Sequence, residues 1–181
     1  MPPSIPHRRP RFIRIEFAPT SGCLGSLVMI VTDFCRNVVD DQETHFAFQL
    51  AAYELIENLV KYASGDRVCV HIEAESTPNG PELVLTTENQ ALPERLSDVG
   101  RRLLAAETAE DPIVHFDQLV QESLASPGES RLGLGRLRAE GDLTLTHRIE
   151  NDTLFVEVRR PVHRTLEDSL NDIENTTNKC R

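Results

Sequence analysis

The stretch Phe48–Ser64, FQLAAYELIENLVKYAS, decides the fold. Glu54, Glu57, Asn58 and Lys61 follow one another at i, i+3, i+4 and i+7, so a helix gathers them on one face. Phe48, Ala52, Leu55, Ile56, Leu59 and Ala63 take the opposite side, which suits a surface lying on a sheet. Asp40 and Glu43 have capping-box spacing, so the spacing predicts a long helix from there to about Ala63, ended by Ser64-Gly65-Asp66. Its signature portion is Phe46–Ala63. On periodicity alone the polar stripe reads as the solvated side of an amphipathic helix.

Working outward, the period changes repeatedly. Phe12–Phe17 alternates and reads as a strand, and Leu24–Val38 is apolar enough for a buried helix. Val68–Ala74 and Leu83–Thr87 read as strands joined through the turn cluster Thr77–Pro81. Leu143–Ile149 and Leu154–Val158 alternate around Glu150-Asn151-Asp152, a second hairpin. Between the hairpins, Leu92–Ala106 and Ile113–Leu124 read as helices, Ser126–Ser130 as a break, and a further helix begins near Leu132. Clustered strands separated by helices predict an α+β two-layer sandwich.

The chain of 181 residues is long enough for one domain with a core. Three segments are expected: a flexible arm over 1–10, where four of the eleven prolines fall, a domain over 11–162, and a polar tail over 163–181. Net charge is −10, which argues against a nucleic-acid partner. Arg8, Arg9, Arg11 and Arg14 form a small basic cluster at the start, read as a solvated terminus or a contact for an acidic partner. No apolar run approaches a membrane span or a secretory signal, so a cytoplasmic location is expected. Cys23, Cys35, Cys69 and Cys180 lack metal-ligand spacing and read as buried or incidental thiols. His45, His71, His115 and His147 lack a supporting cluster of ligands or catalytic partners.

The Phe48–Ser64 string resembles the N-box helix of the histidine-kinase-like (GHKL) ATPase superfamily, most of all the anti-sigma-factor serine kinases and SiaB-like protein kinases. That resemblance implies a Bergerat-type sandwich with a mixed sheet and a helical lid insert over Gln90–Ser130. It implies ATP and Mg²⁺ as cofactors, Glu54 as general base, Asn58 as the metal ligand, and Lys61 as a cation that neutralises a phosphate or simply pairs with Glu57. A carboxylate can polarise an attacking hydroxyl, and an amide oxygen one turn on can hold a hard cation that bridges phosphates. Leu132-Gly133-Leu134-Gly135 resembles the second glycine box, with Arg131 where a glycine is expected. Leu83–Asn89 resembles the strand into the first box, with Glu88 in the place of the adenine-reading Asp and both glycines missing. Asn89 agrees with the SiaB-like branch. Glu88, Asn89, Gly133 and Gly135 therefore join Asn58 and Lys61 as implied nucleotide contacts.

The implied function is a signalling regulator that phosphorylates a Ser- or Thr-bearing protein partner. A degenerate pseudo-ATPase acting as an interaction module is the alternative, which the missing glycines favour, and an unrelated adaptor fold with a chance N-box is a third. The sequence is compatible with a homodimer. A complete sensor histidine kinase does not fit in this length.

Overall fold

The computed structural model describes residues 11–125 and 132–162. The proline-rich arm, the Ser126–Ser130 break, Arg131 and the polar tail lie outside the described residues.

The first strand, β1, is Phe12–Phe17. A short 3-10 turn at Ser21–Cys23 leads into helix α1, Leu24–Val38. Helix α2, Gln42–Tyr62, begins one residue later than the capping-box spacing suggests. Its cap is Asp41, not Asp40: the Asp41 carboxylate accepts from the Glu43 and Thr44 amides at 3.2 and 3.1 Å and from the Thr44 hydroxyl. Those donors, led by the Thr44 hydroxyl, hold its carboxyl below the usual range.

Strands β2, Val68–Thr77, and β3, Gly80–Gln90, form the first hairpin. Both run further than their clean alternation, because pairing continues to the turn at Thr77 and Gly80. The insert carries α3, Pro93–Thr108, α4, Pro112–Ala125, and α5, Gly133–Ala139. Strands β4, Thr144–Glu150, and β5, Thr153–Pro161, close the sheet. Asn151 and Asp152, between them, both have positive φ, at 48° and 62°. That is the backbone of a type I′ turn, matching the right-handed twist of a hairpin.

The sheet order is β1-β2-β3-β5-β4, and every neighbouring pair is antiparallel. This corrects the expectation of a mixed sheet. The crossover through α3–α5 does bring β4 back pointing the same way as β3. However, β5 slides between the two and pairs with each in the opposite sense.

One sheet face carries the core. Ile13 and Ile15 of β1, Val70 and Ile72 of β2, Leu83 and Leu85 of β3, and Val156 and Val158 of β5 meet Phe48, Leu55, Ile56 and Leu59 of α2. Leu27, Val31 and Phe34 of α1 and Leu103 of α3 complete the helical layer. The result is an α+β two-layer sandwich with helices on one side. Cys35 lies wholly inside it, and burial pushes its thiol up to about 12. Among the described residues, no helix is long and apolar enough to cross a membrane, and no group of three or more His, Cys, Asp or Glu side chains could hold a metal ion.

Candidate functional site

The helical layer does not close completely on the sheet. A cavity of about 340 Å³ lies between α2, the inner face of β3 and β5, and helices α3 and α5. Its apolar wall comes from Leu55 and Leu59 of α2, Val99 and Leu103 of α3, and Leu154 and Val156 of β5. Polar groups converge from three directions: Asn58 and Tyr62 from α2, Thr87 and Asn89 from β3, and Asp98 and Arg102 from α3. Ala91, Glu94 and Arg95, with Gly133 and Leu134 at the start of α5, complete the lining. Mostly apolar walls with a few convergent polar groups make a small-molecule site.

The strand period decides which β3 residues reach the cavity. Leu83 and Leu85 face the core, so Thr87 and Asn89 follow them inward. Asn89 is only 6% exposed, and its amide nitrogen donates to the Gln90 carbonyl at 3.2 Å. Glu88, between them, points out of the opposite face. There it accepts from Arg14 of β1 at 3.2 Å and borders a second depression with Glu16, Asp66 and Arg67, which Asn89 also lines. The structure therefore takes Glu88 away from Asn58, against the expectation that it reads a base in the same pocket.

Helix α2 divides its polar stripe. Asn58 lines the cavity, while Glu57 and Lys61 are exposed, and the Lys61 ammonium lies 5.2 Å from the centre of the Tyr62 ring. Glu54 is not on a solvated side at all. It is 9% exposed, covered by α5. Its Oε1 accepts from Arg136 Nη1 at 2.9 Å, and its Oε2 lies over Gly133, where an added Cβ would overlap it. Burial raises the Glu54 carboxyl above the ordinary range; the Arg136 charge opposes that shift and Glu57 adds to it.

The two glycines of the α5 segment thus meet different neighbours. Gly133 borders the cavity and gives room to the Glu54 carboxylate. Gly135 is buried against α4, where a Cβ would stand 2.7 Å from Leu119 Cδ1, so its lack of a side chain serves helix packing. Arg138 ties the same short helix to α3 by donating to the carbonyls of Ala106, Glu107 and Ala109.

Sequence reasoning missed Thr87, Arg102 and Arg136. The inward parity of Leu83 and Leu85 carried the signal for Thr87. Nothing local marks Arg136, whose partner Glu54 is 82 residues away.

The fold and cavity define the class as a two-layer sandwich with a ligand-sized space under its helical insert. Among solved structures, a chain in the crystal structure of the SiaB-SiaC complex from Pseudomonas aeruginosa is similar, with a TM-score of 0.58 and 14% sequence identity, covering 82% of this chain and 89% of that one. At that identity the likeness shows the fold. No protein-family model matches the sequence, and no curated protein matches it.

Proposed function

We propose that this protein is a bacterial signalling regulator that binds Mg-ATP in the cavity beneath α3 and acts on a protein partner as a Ser/Thr kinase. The observation that carries this reading is the convergence of Asn58, Asn89, Thr87 and Gly133 on one cavity, with the buried Glu54 carboxylate beside it. The similar fold in a two-protein complex supports a protein partner.

The residues present fit the group. Thr87 and Asn89 offer both donors and acceptors to the edge of a heterocycle, and the leucine and valine walls suit its faces. Asn58 offers one amide oxygen, enough for Mg²⁺, which keeps most of its waters and takes few protein ligands. Bound Mg-ATP would supply the γ-phosphoryl group. Glu54 would take the proton from the partner's hydroxyl as that oxygen bonds to phosphorus and the bond to the ADP oxygen breaks. Glu54 is itself not part of the cavity lining but stands against Gly133, which is; Lys61 and Gly135 are outside the lining and are given no part in this scheme.

A second reading, the pseudo-ATPase interaction module, rests on a specific observation: Glu88 is turned away and Glu54 is engaged by Arg136.

Calorimetric titration with ATP, with and without Mg²⁺, tests the proposal. Wild type should bind in a Mg²⁺-dependent manner and Asn58→Ala should lose that dependence. Glu54→Gln should retain nucleotide while losing about 10²-fold or more in transfer to the partner. Absence of binding by wild type would defeat the nucleotide reading. Binding with no transfer would favour the interaction module.

A further inference from the structure

The general base of the proposed reaction lies in an unusual setting for a group that must be ionised. Glu54 is largely removed from water, and burial alone would leave a carboxyl protonated at higher pH. A protonated acid cannot accept a proton from a hydroxyl. The charged groups acting on it are Glu57, on its own helix, and Arg136 and Glu140, from α5. Both carboxylates disfavour its ionisation, and among the described residues Arg136 is the cation that favours it.

Arg136 is itself held in place. Its Nε and Nη2 donate to Glu140 Oε1 and Oε2 at 3.1 and 3.0 Å, a two-pronged grip one helical turn long. The remaining Nη1 reaches Glu54 Oε1 at 2.9 Å. The missing Cβ of Gly133 leaves space for the other carboxylate oxygen. Glu54 is thus held at Oε1 by Arg136 and has room for Oε2 over Gly133. Arg136 does not line the cavity, so this fixing does not require it to touch a nucleotide.

We infer that Arg136 is the positioning residue of Glu54: anchored by Glu140, it orients the carboxylate beside the cavity and favours its charged form. The catalytic part of this inference rests on the kinase reading above. The coupling between the two side chains does not.

The test follows the Glu54 carboxyl carbon by NMR as the full-length protein is titrated with acid. In Arg136→Met the midpoint should rise, and Arg136→Lys, which restores a charge, should recover part of that rise. Mg-ATP affinity should change less than about threefold, because Arg136 is outside the lining. An unmoved Glu54 midpoint in a folded Arg136→Met protein overturns the inference. Should that variant fail to fold, Arg136 side-chain nitrogens in wild type and Glu54→Gln decide. A titration step present in wild type and lost in Glu54→Gln supports the coupling, and identical curves overturn it. In the kinase assay, the acid limb of the pH–rate profile should move up with the Glu54 midpoint in Arg136→Met. A shifted midpoint in a protein whose wild type transfers no phosphoryl group would leave the positioning intact and remove the kinase reading.

Discussion

The two faces of the sheet are built from the same strands and obey different physics. The covered face is apolar until β3 reaches Thr87 and Asn89, where it opens into the cavity. The open face is a lattice of charges: Arg14 reaches Glu16 and Glu88, Arg159 joins Glu82 and Glu157, and Arg148 lies over the Phe155 ring at 3.9 Å. On the covered side each group is short of water, so a single polar residue matters. On the open side solvent screens the more exposed pairs, such as Arg14 with Glu16 and Glu88, so each of those matters little. Glu88 and Asn89 are adjacent in the chain and on opposite sides of this divide. A ligand contact inferred from linear position alone fails there.

The sharpest way to break the contrast is a pair of neighbouring substitutions on β3. Leu85→Ala, at a fully buried position, should cost about 2–5 kcal/mol, while Thr86→Ala on the open face should stay within about 0.5 kcal/mol. Urea denaturation of both proteins measures the difference, and comparable losses would erase the distinction between faces.

Next in size is Gly133→Ala, where the new methyl meets the Glu54 carboxylate. It should destabilise by about 1–3 kcal/mol. In a Glu54→Ala background the same change should be harmless or slightly stabilising, since alanine is the better helix former. A double-mutant cycle with no coupling would show that the two positions do not meet.

The cavity itself is probed by the adjacent pair. If the cavity takes the proposed nucleotide, Asn89→Ala should weaken its binding about tenfold, the scale of a lost buried hydrogen-bonding group. Glu88→Ala should change it less than about twofold, as a charge across the sheet screened by water. Titration calorimetry distinguishes them, and the reverse order would return the adenine-reading role to Glu88.

The smallest effect belongs to Arg14→Gln. Its partners are half-exposed carboxylates, so about 0.2–1 kcal/mol is at stake, fading as salt is raised. A larger, salt-independent loss would mean that the open face carries more of the stability than its exposure implies.

Much of this architecture is legible in the sequence. The alternation of Phe12–Phe17 and the apolar run Leu24–Val38 match β1 and α1 end to end, because each has one dominant period and clear breakers beside it. The type I′ turn at Asn151-Asp152 announces its hairpin for a similar reason: few residues tolerate that backbone. What the sequence hides is whatever depends on distant partners. The Glu54–Glu57–Asn58–Lys61 stripe looks uniform in the helical period, yet α5 covers only its Glu54 end. The antiparallel sheet is hidden as well, since no local pattern tells β5 to enter between β3 and β4.

That insertion has a consequence for how the molecule comes into being. Among the described residues the last strand of the sheet to be synthesised, β5, is one of its inner strands, so a nascent chain that has emerged only as far as Glu150 offers β3 no neighbour on one side. Nine register positions, Glu82 to Gln90, then wait as an open template with their hydrogen-bonding groups bare. Pairings made so far apart along the chain form late. The ribosome must therefore release almost the whole described fold before the cavity floor exists, and a message cut short within β5 would yield a sticky edge rather than a smaller working protein.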